Sequence, residues 1–144
     1  MSEYKFEASM NAVIMRLCRA YFNASDRYLK KLDLHCGQPH IILSLYKKDG
    51  KSIKELSDSR KVKASTTTVM VSRMEKSGIV ERKADSDDRR ITRVYLTEKG
   101  KSICKEIEEI NKKVEEECLK GFSETERIIV KRLIDQMIEN LNEA

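Results

Sequence analysis

Apolar residues recur at steps of three and four over long stretches at both ends of this chain, and in shorter clusters through its middle. That pattern predicts long helices flanking a compact mixed unit. Phe6, Met10, Val13, Leu17, Tyr21, Ala24, Tyr28 and Leu32 trace one face of a long first helix, with Arg16, Arg19, Asp26, Arg27, Lys30 and Lys31 on the other. The helix must end around His35-Cys36-Gly37-Gln38. Pro39 then suits the first turn of a second helix, where its missing amide hydrogen is not needed. Ile41, Ile42, Leu43, Leu45 and Tyr46 make this second helix apolar on several sides, so it belongs in the core, and Lys47-Lys48-Asp49-Gly50 reads as a turn.

Ser52-Ile53-Lys54-Glu55 has the form of a capping box, which starts a short helix carrying Ile53 and Leu56 on one face and ending near Ser59 to Val62. A further helix begins near Ala64. Val69, Met70, Met74 and Ile79 are expected on its apolar side, and Ser65, Thr66, Thr68 and Ser72 on other faces. Gly78 supplies a stop. Ile79 to Lys83 and Thr92 to Leu96 have strand chemistry, so the polar run from Ala84 to Ile91 is the tip of a hairpin. Beyond it Thr97 caps a helix with Ile103, Ile107, Ile110, Val114 and Cys118 in register, ending at Gly121-Phe122. Ser123-Glu124-Thr125-Glu126 is a second capping box, and Val130, Leu133, Ile134, Met137, Ile138 and Leu141 form the last stripe. The order implies a mainly α fold with a small β-hairpin wing, a winged helix-turn-helix, whose natural partner is duplex DNA.

Length and composition narrow this further. At 144 residues and 40% hydrophobic content the chain makes one domain, and its net charge of +5 carries weight only through local placement. No apolar run approaches the roughly 20 residues of a membrane span. Met1 to Glu7 lacks the basic and apolar regions of an export signal, so a cytoplasmic location is expected, with no membrane partner. Cys18, Cys36, Cys104 and Cys118 form no CxxC pair and are expected to be reduced, buried or half-buried thiols. Two histidines, no glycine-rich phosphate loop and no nucleophile motif argue against an enzyme, and no cofactor or metal is expected.

Four blocks occur together: Lys61 to Val69, Arg73 to Arg82, Asp85 to Arg90, and Leu96-Thr97-Glu98-Lys99-Gly100. In order and spacing they resemble the MarR family of bacterial winged helix-turn-helix transcription regulators. The resemblance implies a DNA-binding core over about 37–97, with dimerisation helices at about 5–35 and 98–142 interlocking two copies into a homodimer. Such a dimer would present two reading helices to a palindromic operator, as a repressor answering a small-molecule effector or redox signal. The three long apolar stripes support this, because a core so small cannot cover them unaided. A monomeric bundle bearing a wing is the alternative.

Lys63, Ser65, Thr66, Thr67, Thr68 and Arg73 are the expected DNA contacts of the reading helix, with Ser65 also acting partly as its cap. Many family members carry arginine where this chain has Val69. Arg89 and Arg90 at the wing suit a narrow minor groove, and the resemblance implies that Asp85 and Asp87 orient them. Roughly six phosphate contacts per dimer would make binding steeply salt-dependent. Cys18 and the cluster His35, Cys36 and His40 are the candidates for a thiol- or zinc-responsive sensor. A complete zinc site would need further donors such as Glu108 or Glu109. A winged helix used for protein contacts, without operator binding, is the reading of another class.

Overall fold

The structure, a computed structural model, describes residues 8–143. Phe6 and the Met1 to Glu7 segment therefore lie outside the described residues. Helix α1 (Met10–Leu29) is capped by Ser9, whose hydroxyl accepts from the Ala12 amide at 3.2 Å, and runs into a 3-10 turn at Lys30–Leu32. Asp33 then turns left-handed, and the Leu34 amide donates back to the Leu29 carbonyl at 3.0 Å. Helix α2 (Gln38–Lys47) follows, with Pro39 in its first turn and Ile41, Ile42 and Leu45 buried.

Strand β1 (Lys51–Ser52) leads directly into helix α3 (Ile53–Arg60). The capping box at this junction is complete. Ser52 Oγ accepts from the Glu55 amide at 3.1 Å, and Glu55 Oε2 accepts from the Ser52 amide at 2.8 Å. Helix α4 (Ala64–Lys76) is closed by Gly78, whose φ of 73° lets the Ile79 amide reach back to the Met74 carbonyl at 2.9 Å. Strands β2 (Val80–Ala84) and β3 (Thr92–Leu96) pair antiparallel, with Arg82 opposite Val94 and Lys83 opposite Arg93.

The sheet has a third strand that the hydrophobic pattern does not signal. β1 pairs with β3 through Lys51 opposite Val94 and Ser52 opposite Arg93, giving the order β1-β3-β2. Two residues are too few to show an alternation, so only the partner strand reveals it.

Helix α5 (Glu98–Cys118) starts where Thr97 Oγ1 accepts from the Gly100 amide at 3.1 Å. Helix α6 (Glu124–Glu143) starts at the second capping box, where Glu126 Oε2 accepts from the Ser123 amide at 2.7 Å. One core joins α2, α3, α4, the sheet and α5 through Leu34, Ile41, Ile42, Leu45, Leu56, Val71, Met74, Val94 and Ile107, all essentially inaccessible. α1 contributes only its C-terminal half, through Ala24, Tyr28 and Leu29. Its N-terminal stripe stays exposed, with Met10 63% and Leu17 48% accessible, and no residue of α6 is buried.

Candidate nucleic-acid interface

Helix α4 lies against α3 and the base of the wing, which decides which of its faces is free. Thr67, Val71 and Met74, spaced by four and three, point into the core with no accessible surface. Three expectations are corrected on this helix. Thr67 cannot touch DNA because it is buried. Val69, assigned above to the apolar side, is 53% exposed and lies on the outer face. Lys63, Ser65, Thr66, Thr68 and Arg73 are all exposed. The helix is capped at Lys63, without a side-chain bond, so Ser65 lies inside the first turn and does not serve as the cap. Thr68 Oγ1 donates to the Ala64 carbonyl at 2.9 Å, which leaves its methyl and an acceptor lone pair for the outside.

The Thr67 hydroxyl has no hydrogen-bond partner among the described residues. An unpaired buried hydroxyl carries an uncompensated desolvation cost, so Thr67→Val should stabilise the fold by about 1 kcal/mol. It should leave DNA binding unchanged. Urea melts and a gel-shift titration of the same variant check both halves of that expectation.

At the wing, the structure assigns the aspartates differently from the sequence reading. Asp85 pairs with Arg93 on β3, not with Arg89 or Arg90, and also accepts from the Asp87 and Asp88 amides at 2.8 and 3.0 Å. The Arg93 guanidinium and these two amides hold the Asp85 carboxyl down to about 2. Arg93 further donates to the Gly50 carbonyl at 2.9 Å and lies 3.6 Å from Glu55, so one side chain ties the wing tip to the β1–α3 junction. The aspartate that orients a tip arginine is Asp88, which receives Arg90 Nε at 3.1 Å. Asp87 enters the turn through its backbone amide.

Arg90 keeps its side chain 91% exposed, and Arg89 is exposed with no ion pair among the described residues. Arg82 donates twice to Glu75 Oε2, at 2.9 and 2.7 Å, locking the base of the wing to α4. Arg93 and Arg82 were missed as positioning residues. The antiparallel register that sets Arg93 close to Asp85 across the hairpin neck was the available signal for the first.

The candidate sensing residues do not form one cluster. His40 opens into a cleft of about 270 Å³ between α1, α2 and α5, lined by Tyr21, Phe22, Leu43 and Asn111. His35 opens into another, of about 330 Å³, against Thr66, Val69, Met70 and Arg73 of α4. Cys36 borders both. Burial is the main influence raising the Cys36 thiol, with Asp26 adding to it, which makes a thiolate harder to form there. Burial also lowers His40, helped by Arg60 and Lys51. No three His, Cys, Asp or Glu side chains converge on a metal position among the described residues.

The thiols are all free, but their burial differs from the expectation. Cys104 is buried and Cys36 half-buried, whereas Cys18 and Cys118 are exposed because they lie on the uncovered parts of α1 and α5.

A helix pair set on a three-stranded sheet, with an unblocked polar helix face and an arginine-tipped hairpin, defines a winged helix-turn-helix, DNA-binding transcription regulator. A model of the MarR family matches residues 36–92. The chain is 28% identical over 128 residues to the HTH-type transcriptional repressor IacR of Pseudomonas putida, covering 89% of this chain and 77% of that protein. A MarR transcriptional regulator from Methanosarcina mazei Go1 superposes with a TM-score of 0.82 at 28% identity, over 93% of this chain and 96% of that one. A mutant MarR from E. coli, complexed with operator DNA, has the same fold, with a TM-score of 0.83 at 21% identity over 95% of this chain and 99% of that one. The chain is thus similar to MarR-family transcription regulators, through the family match over residues 36–92 and through full-length relatives below 30% identity. Among the described residues no helix is long and apolar enough to cross a membrane.

Proposed function

We propose that this regulator acts as a cytoplasmic homodimer on a palindromic operator, as a repressor that lets go of DNA when a small molecule occupies the cleft around His40. The observation that carries the DNA reading is the outer face of α4. Lys63, Arg73 and Lys76 surround hydroxyl side chains there, and the only carboxylate of the helix, Glu75, is occupied by Arg82. Such a face suits phosphates and base edges alike.

The exposed apolar stripes of α1 and α6 support dimerisation. Ile128 is 67% and Leu141 77% accessible, on a helix with no buried residue of its own. A two-fold body would set two reading helices about 34 Å apart, one per major groove. For the effector, the cleft combines Tyr21, Phe22, Leu29, Leu43 and Ile110 with a few polar groups, a composition that suits a small, mostly apolar ligand.

The test is the double variant Arg89→Ala with Arg90→Ala, titrated against a duplex selected from a random library by the full-length protein. Operator affinity should fall by roughly tenfold or more at physiological salt, and the slope of log K against log salt should flatten by about one unit per lost phosphate contact. Sedimentation should report an unchanged dimer. Unaltered affinity overturns the wing assignment, and a wild-type protein that ignores duplex altogether favours a winged helix used for protein contacts.

A further inference from the structure

We infer that Val69 is a base-reading residue, whose isopropyl group meets a thymine 5-methyl in the major groove and biases the operator toward A·T at that step. The inference rests on the reading of α4 as the groove-facing helix. It deepens that reading by naming the chemistry of one contact.

The geometry follows from the helix period. With Thr67, Val71 and Met74 buried, the line directly opposite runs through Ser65, Val69, Ser72 and Lys76, at spacings of four, three and four. Val69 therefore stands in the middle of the free face, 53% accessible. Single exposed apolar residues are common, so exposure alone says little. The surroundings say more. Its neighbours within a turn are the short hydroxyl side chains Ser65, Thr66, Thr68 and Ser72, together with Arg73, which lines the same cleft, and no carboxylate. Lys63, Arg73 and Lys76 stand at the two ends of the helix, where they can reach phosphates. An anionic, grooved partner is thus matched in charge at the ends and in size at the centre.

Valine is also a costly choice for an exposed helix position. Its branched side chain loses rotamer freedom there, and alanine, lysine or glutamine would favour the helix more. Nothing in the core accounts for it, since its side chain is on the outside. A cleft wall shared with Met70 and Arg73 takes up one flank of Val69, and the remainder faces outward.

In the major groove the feature that an isopropyl group can recognise is the thymine methyl, because the other edge groups are hydrogen-bond donors and acceptors. Thr68 adds a second methyl beside it, its hydroxyl proton being committed to the Ala64 carbonyl. A cytosine in the same place would present an amino group to Val69, whose desolvation no valine could compensate.

The experiment uses the full-length protein, the duplex selected from a random library, and the same duplex with each thymine replaced in turn by uracil, which removes only the 5-methyl. In the wild type, uracil at one thymine of each half-site should weaken binding by about fourfold per half-site, the worth of one buried methyl. Val69→Ala should bind the unmodified duplex more weakly and lose sensitivity to uracil at that position, the signature of a coupled pair. Its thermal melt should match the wild type or rise, because the position is exposed and alanine favours the helix.

A selected consensus without thymine in the half-site, a flat uracil scan, or an equal loss in wild type and Val69→Ala each overturns the assignment of Val69. A protein that enriches no sequence at all overturns the operator reading beneath it, so the two failures are told apart.

Discussion

Gly100→Ala should destabilise the protein by about 2 kcal/mol, although alanine is the better helix former by about 1 kcal/mol. The reason is the close approach of α5 to the turn after α4. A Cβ on Gly100 would stand 2.3 Å from the Ile79 carbonyl oxygen and 2.9 Å from Leu96 Cδ2. The first is backbone and cannot rotate away. It is also held in place, because the Thr97 amide donates to the Ile79 carbonyl at 3.1 Å and the Thr97 hydroxyl donates to the adjacent Gly78 carbonyl at 2.5 Å. Relief requires α5 to shift away from the winged unit, and overpacking of this kind costs about 3 kcal/mol, which the propensity gain only partly offsets.

The measurement is a urea titration of both proteins at one fixed protomer concentration, since dimerisation would otherwise enter the midpoint. DNA affinity should fall as well. In the proposed dimer the shift would move the helix that leads to α6 relative to the reading unit, and with it the distance between the two reading helices. An unchanged midpoint would show that the α4–α5 junction yields without cost.

The second large effect is expected on α6. Ile134→Glu with Ile138→Glu places two carboxylates one turn apart on a face where Leu133, Ile134, Met137 and Ile138 are all exposed in the single chain. If that face meets its twin, four carboxylates per dimer become buried without partners, a cost of several kcal/mol that the interface cannot meet. Sedimentation should then give the mass of one chain. Operator affinity should drop by about a hundredfold or more, because each winged unit must bind without the effective concentration its twin provides. The helix itself should survive, since its capping box at Ser123 and Glu126 and its Lys131–Asp135 pair at 2.5 Å lie elsewhere. A variant that remains dimeric would place the interface on another surface.

Three of the helix starts that were legible in the sequence depended on groups three residues apart. Ser52 with Glu55, Ser123 with Glu126 and Thr97 with Gly100 form the expected bonds because hydroxyl and amide are neighbours along the chain, whatever else the protein does. Gly78 and the hairpin from Val80 to Leu96 belong to the same category, as do the periodic stripes of the long helices. The two-helix unit, the wing and the family resemblance could be read from this local grammar alone.

What the tertiary structure decided were choices between nearly equivalent local options. In α4, Thr67 and Val69 are both small and β-branched, and helical period alone could place either inward. Packing against α3 and the wing buries Thr67 and leaves Val69 outside. Strand β1 exists only because β3, some 40 residues later, offers it a free edge. Asp85 has arginines within reach on both sides in sequence, and the fold of the hairpin gives it Arg93 instead of the tip. The apolar stripes of α1 and α6 are a related case. Helical period fixes which residues share a face, but burial is a property of two surfaces, and a single chain supplies only one of them.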